Sequence, residues 1–392
     1  MNLGISSGGA QIRNDLNVNT LLVKHQSSLS FIYTNATSLN NKMNDLRAYV
    51  STVHPHVICI TETWFSEISD TNITGYTIYK NDRKNGKKGG GVCIYVTDQL
   101  VSIEELPSLI TNNIEQIWIS IKQKDENVLI GCIYRPPNSD NEINEKIIAS
   151  IRHAKELVNK KIYSSLLITG DFNYSYLNWS NDSLVRQMTS KQADEFSRCI
   201  DDLFLHQCVT EPTFQSAKGD QRNILDLILT DNANKVYGIH HHPPLGSTEQ
   251  GHHILTWNYE ISQEPNKSRN CKTKFLFNKG NYEQIIKYLQ SINWCDDMKQ
   301  LTTDESYNLF LFHYNTSCSQ FIPRVKRKET SNEIWMTKEL KDLIKTKNRM
   351  WALNKKINWS TKDSKIEYNR LKRLVTKSTK AAVKDYEKVL RI

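Results

Sequence analysis

The stretch LLITGDFN at residues 166–173 runs four apolar or β-branched residues directly into Gly170, Asp171, Phe172 and Asn173. A run apolar on every position reads as a strand buried on both faces, so it belongs between layers rather than on a surface. The same design recurs: SFIYTN, VICITET, NVLIGCIY, NILDLILT and HHILTWNY are further short apolar runs, each carrying a polar residue at or near one end. Between them lie helical patterns. SLNNKMNDLRAYVSTV spaces Met43, Leu46, Val50 and Val53 for one helix face, with Ser38 as a candidate cap, and residues 141–160 and QADEFSRCIDDLFL read as two more helices. NITGYTIYKNDRKNGKKGGGVCIYVT reads as a hairpin. Strands this numerous with few helices predict an α/β fold of two packed sheets with helices outside.

That pattern holds only from residue 29 to residue 260 of the 392. Residues 1–28 are rich in Ser, Asn and Gly and read as a disordered tail. From Glu264 the strand signal stops, and residues 335–390 read as long helices with Tyr368, Leu371, Val375, Ala382, Tyr386 and Val389 near one stripe. Charge divides at the same place: residues 1–260 sum to −5 and residues 261–392 to +14, giving the net +9. A basic, mostly helical segment attached to an acidic body predicts a polyanionic partner, most simply DNA, against the plainer reading of lysine-rich helices kept for solubility. Trp335, Trp351 and Trp359 stand among those lysines, either to stack on bases or, the favoured reading, to bury against the helices. No run of about 18 apolar residues exists, which excludes a membrane-spanning helix. The eight cysteines are scattered without a Cys-x-x-Cys, and three sit inside strands, which argues for reduced thiols rather than disulfides or zinc.

The polar residues at the strand ends are the candidate chemistry: Asn35, Glu62, Tyr134 with Arg135, Asp171 with Asn173, Asp226 and His252. Taken singly they are ordinary. A Glu after a strand often caps a helix, and Asp-x-Asn often braces a turn. Asp226 inside an apolar run is more telling, because an unpaired buried charge is costly.

In order, Asn…Glu…Tyr…Asp-x-Asn…Asp…His over residues 29–260 resembles the endonuclease/exonuclease/phosphatase superfamily. TNATSLNNK, ITETW, GGGVCIYV, IYRPPN, GDFNYSYLNW, TEPTF and NILDLILT look like the apurinic-endonuclease-like endonuclease domain of non-long-terminal-repeat retrotransposons. The resemblance implies a four-layered α/β sandwich and a Mg²⁺-dependent (Mn²⁺ possible) DNA endonuclease leaving a 3′-hydroxyl nick, with no small-molecule cofactor. It implies Glu62 and Asn35 at the metal, Asp171 orienting or deprotonating the attacking water, Asn173 and Asn35 holding phosphate or metal-bound water, Tyr134 donating to a phosphate oxygen, and His252, oriented by Asp226, stabilising the transition state. Arg135, Lys87 and Lys88 are candidate phosphate contacts. The family usually closes its site with Ser-Asp-His, whereas this chain reads Gln250-Gly251-His252. Either that Asp is lost and activity is reduced, or Glu249 supplies a carboxylate from further back; His253 would face away from His252 by strand alternation. The basic segment 261–392 resembles part of the connector that precedes a reverse transcriptase, a domain absent from this chain. The competing readings are an abasic-site repair nuclease and an inactive remnant that only binds nucleic acid. A DNA substrate implies the nucleus.

Overall fold

A computed structural model describes residues 27–83, 89–105, 114–122, 126–175, 177, 179, 190–215, 222–246, 251–261, 273–299, 301–326, 333–356 and 362–390. The Lys84–Lys88 turn, Glu249, Trp359 and nearly all of the N-terminal tail lie outside these residues, and with them Lys87 and Lys88.

In chain order the elements of the first 261 residues are β1 (Ser27–Asn35), α1 (Met43–Val53), β2 (Val57–Thr61), β3 (Tyr76–Asn81), β4 (Val92–Thr97), β5 (Ser102–Glu104), β6 (Glu115–Lys122), β7 (Asn127–Tyr134), α2 (Asn141–Asn159), β8 (Ser165–Asp171), α3 (Lys191–Asp202), β9 (His206–Gln207), β10 (Phe214–Gln215), β11 (Arg222–Asn223), β12 (Asp226–Thr230), β13 (Val236–His242), β14 (Gly251–His252) and β15 (Ile254–Ile261). Two six-stranded sheets result, ordered β13-β15-β1-β2-β4-β3 and β5-β6-β7-β8-β12-β9, with a small β11-β10-β14 sheet beside them.

Strand alternation explains the layering. In β7, Val128, Ile130 and Cys132 turn inward with Phe31, Cys59 and Ile94 of the facing sheet, while Leu129 and Ile133 turn outward under helices. Both faces of the central strands are therefore apolar, which is why the sequence shows unbroken runs. The outer face of one sheet is covered by α2 and α3 through Ile147, Ile151, Phe196 and Ile200. That of the other is covered by α1 through Leu46, Tyr49 and Val50. The fold is the four-layered α/β sandwich expected from the sequence. Ser38 is not the cap of α1: it sits in the loop at φ 78°, and Lys42 at the N-cap position makes no side-chain capping bond.

Two parallel pairs position the polar residues. β1 runs parallel to β2 with α1 as crossover, and β7 runs parallel to β8 with α2 as crossover. Parallel neighbours end at the same edge, so Asn35 pairs with Thr61, next to Glu62, and Tyr134 pairs with Asp171. Antiparallel β12 begins where β8 ends, which sets Asp226 opposite Asp171. Gly170 makes this convergence possible. A Cβ there would stand 1.9 Å from the Ile133 carbonyl oxygen on β7, so only glycine allows the two strands to close immediately before Asp171.

The C-terminal segment holds α4 (Tyr282–Gln290), α5 (Trp294–Met298), α6 (Thr303–Phe321), α7 (Lys338–Lys356) and α8 (Lys362–Leu390). It also holds a short antiparallel pair, β16 (Thr273–Phe275) with β17 (Arg324–Lys326), a strand pair the sequence reading did not anticipate. α7 and α8 dock on α1 through a cluster of Ala48, Trp335, Leu340, Ile344 and Val375. Trp335 and Trp351 are both buried, whereas Val389 of the expected stripe is 68% exposed. Among the described residues no helix is long and apolar enough to cross a membrane.

Candidate active site

Asn35 is the hub of the edge. Its amide nitrogen donates to Asp171 Oδ2 at 2.8 Å and to Glu62 Oε1 at 3.2 Å. Its carbonyl oxygen accepts from the Thr37 backbone N–H at 2.9 Å, so Asn35 is placed as a clamp between two carboxylates. Tyr134 donates its hydroxyl to Glu62 Oε1 at 2.7 Å, and the Trp64 indole N–H donates to Glu62 Oε2 at 3.2 Å. Asn173 donates from its backbone to Asp171 Oδ1 and from its amide to the Arg135 carbonyl, leaving the amide oxygen as its other polar atom.

His252 completes the group. Its Nδ1 lies 2.7 Å from Asp226 Oδ2, and its Nε2 lies 3.7 Å from Asp171 Oδ2. Asp171 and Asp226 are fully buried and His252 nearly so. His253 faces the other way and meets His241, as strand alternation requires. Gly251 sits at φ 129°, a conformation that side-chain-bearing residues rarely adopt, so the backbone before His252 is shaped for glycine. Asp226 supplies the carboxylate that orients the imidazole.

Two residues that sequence reasoning did not single out hold Asp226 in place. The fully buried Tyr33 hydroxyl donates to Asp226 Oδ1 at 2.9 Å, and Thr213 Oγ1 accepts from the Asp226 backbone N–H at 3.1 Å. Tyr33 shares a strand face with Asn35, two residues on, but a tyrosine within an apolar run carries no signal of its own beyond a core position. Arg135, expected on a phosphate, is buried instead. Its guanidinium lies 4.3 Å over the Tyr174 ring and donates to Gln192 at 2.7 Å.

Backbone strain concentrates here. Nine described non-glycine residues have positive φ, and five of them, Thr37, Ser38, Glu62, Trp64 and Asn173, frame this edge. Left-handed backbone costs on the order of 1 kcal/mol or more per residue and persists only where surrounding contacts impose it.

The electrostatics follow from burial and like charge. Burial pushes the Asp171 carboxyl up and Asp226 and Glu62 add repulsion, against relief from His252 and Asn35, so it titrates at about 7. Burial pulls the His252 imidazole down, but Asp226 and Asp171 outweigh it and raise it to about 9. At neutral pH the site therefore holds a charged imidazolium beside a carboxyl poised to gain or lose its proton. Polar side-chain atoms of Asp171, Asp226 and His252 lie within 4.8 Å of one another, and with the imidazole charged the carboxylate oxygens are the atoms left to hold a cation. Carboxylate oxygens whose mutual repulsion raises a pKa suit a hard divalent cation, which relieves that repulsion.

The chain matches the endonuclease/exonuclease/phosphatase family over residues 16–251, more than half its length, and belongs to that family. Three solved structures are similar to this chain. The AP endonuclease LMAP from Leishmania major is 14% identical with a TM-score of 0.50, covering 60% of this chain and 88% of that one. The endonuclease domain of TRAS1, a telomere-specific non-LTR retrotransposon, is 17% identical with a TM-score of 0.46, covering 61% of this chain and all of its own. An AP endonuclease from Archaeoglobus fulgidus is 15% identical with a TM-score of 0.44, covering 59% of this chain and all of its own. No curated protein matches the sequence.

Proposed function

We propose that this protein is a divalent-cation-dependent DNA endonuclease of retrotransposon origin that hydrolyses a phosphodiester and leaves a 3′-hydroxyl. The observation that carries the reading is the meeting of Asn35, Glu62, Tyr134, Asp171, Asp226 and His252 at one edge, from six separate segments of the chain. Asp171 takes the proton of the attacking water, and the Asn173 amide oxygen helps hold that water. Tyr134, now bonded to Glu62, donates to a phosphate oxygen. His252, kept charged and oriented by Asp226, offers Nε2–H to the charge that develops on phosphorus-bound oxygen. Glu62 and Asp171, steered by Asn35, would hold Mg²⁺ or Mn²⁺, which when bound neutralises charge on the scissile phosphate and leaving oxygen. The motifs ITETW, IYRPPN and GDFNYSYLNW and the basic segment after residue 260 support the retrotransposon reading. A nuclease body over 29–260, a connector over 261–392 and action in the nucleus are parts of the same proposal.

Purified protein is expected to nick supercoiled plasmid with Mg²⁺, and chelation is expected to stop it. An abasic-site duplex assayed beside intact duplex distinguishes a repair nuclease, which cuts only the first. Salt-sensitive DNA binding with no nicking at high enzyme concentration establishes the non-catalytic remnant instead.

The titrations predict the pH profile. Cleavage needs Asp171 ionised and His252 charged, so the rate rises through about 7 and falls through about 9. A bound cation favours the carboxylate and disfavours the imidazolium 3.7 Å from it, so raising Mg²⁺ moves both limbs downward, the acid limb more. The two limbs are properties of the coupled group rather than of single residues. Initial nicking rates at two Mg²⁺ concentrations check both statements.

A further inference from the structure

The helix α7 lies outside the part of the chain that matches the family, yet it touches the framework of the reactive histidine. Trp351 of α7 is almost fully buried, and its ring meets the His253 ring edge-on at 5.2 Å. His253 in turn sits against His241 of β13, with Nδ1 atoms 3.3 Å apart, and its backbone N–H donates to the Thr213 carbonyl at 2.7 Å. One turn further along α7, Lys355 pairs with Glu211 at 2.7 Å, on the loop that leads into Thr213 and Phe214. That loop touches both members of the His252–Asp226 pair. Thr213 accepts from the Asp226 backbone, and Phe214 is the ladder partner of His252, with the two rings 5.0 Å apart.

From this geometry we infer that Trp351 is a positioning residue for His252 and Asp226, so that cleavage chemistry depends on α7 being docked. The inference rests on the nuclease reading of the same site. The small sheet that holds His252 has strands of two residues, too short to fix an imidazole by ladder bonds alone. One face of its histidine pair is supplied by α7: His252 turns toward Asp171, and His253, on the opposite side, needs a wall. Trp351 is that wall, and the Lys355–Glu211 pair clips the same helix to the adjoining loop. A segment bearing the net positive charge of the chain is thereby built into the scaffold of the site, and anything that pulls α7 away acts on the dyad without touching it.

The test uses the full chain. Trp351→Ala is expected to lower kcat for nicking about tenfold or more with KM changed less than twofold, and to move the alkaline limb to lower pH as His252 loses its fixed bond to Asp226. Trp351→Phe, which retains a ring edge, is expected to restore most of kcat. Trp351→Leu keeps part of the apolar filling and is expected to destabilise less than alanine, yet to lose kcat; it decides the matter if the alanine variant does not fold. Parental kcat and an unmoved alkaline limb in Trp351→Leu overturn the inference. A readout independent of cleavage is the ring ¹H–¹⁵N spectrum of selectively labelled histidines. The His252 signal bonded to Asp226 is expected to shift or broaden in Trp351→Ala and Trp351→Leu. If the unaltered chain cuts no DNA, the nuclease reading falls and this spectrum alone judges the positioning role: unchanged His252 signals overturn it.

Discussion

Asp171→Asn is expected to yield a folded protein that no longer cuts DNA, with nicking reduced by about 10²–10⁴. The substitution preserves shape and leaves an oxygen to accept from Asn35, so the clamp between β1 and β8 survives. What disappears is the base. The sign of the stability change is opposite to that of the activity change. Asp171 has an ordinary value of 3.8 and titrates at about 7 when folded, so protons bind the folded state more tightly. The stability linked to that proton is fully present below about 3.8 and is lost as pH rises through about 7. The neutral amide cannot lose it. Above neutral pH the variant is therefore expected to melt higher than the parent; each ~1 kcal/mol of relieved repulsion raises the midpoint by about 2–4 °C. Below pH 4 the two should melt together. A variant that still nicks at a tenth of the parental rate removes Asp171 from its assigned role.

Gly170→Ala is expected to have the largest effect on folding. One added methyl would lie 1.9 Å from a main-chain oxygen of β7, and a backbone atom in a central strand cannot swing aside as a side chain can. The pair must separate or the strand must bulge, at ~3 kcal/mol or more, since overpacking in a core already costs ~1–3 kcal/mol when side chains can adjust. Parting β7 from β8 also parts Tyr134 from Asp171, which are register partners. Chemical denaturation should show a large loss of midpoint, or the protein should fail to accumulate in soluble form. A midpoint near that of the parent would mean that β7 and β8 can accommodate a side chain at this position.

Much of the site can be read from the sequence for a simple reason. Asn35, Tyr134 and Asp171 each terminate an apolar run, and a polar residue ending a buried strand is visible without knowing what lies beside it. Asp226 is legible for the related reason that a charge inside such a run needs a partner. Tyr33 escapes because a tyrosine in a strand reads as core; only the neighbouring carboxylate, 193 residues away in sequence, gives its hydroxyl a role. Arg135 misleads for the converse reason. An arginine before two prolines reads as an exposed contact, and its burial is decided by Tyr174 and Gln192, which reach it through folding. β13 is not legible in the sequence because VYGIHHH lies at a sheet edge, half-exposed, and lacks an apolar run. The docking of α7 and α8 depends on which faces of two lysine-rich helices meet α1, a matter of tertiary packing that periodicity alone does not specify.

Among the side-chain bonds that cross from one large sheet to the other, three join residues of the candidate site: Asn35 to Asp171, Tyr33 to Asp226 and Tyr134 to Glu62. Elsewhere the interior between the layers is mainly apolar, and dispersion has little directional preference, so it resists sliding of one layer over the other only weakly. The three bonds do have direction. They act as dowels that hold the two halves of the sandwich in a fixed lateral offset, and the dowels are the groups of the candidate site. A scissile phosphate that engages Tyr134 must unpin one of them, so binding of substrate is expected to register as a small shear between the halves as well as a local contact.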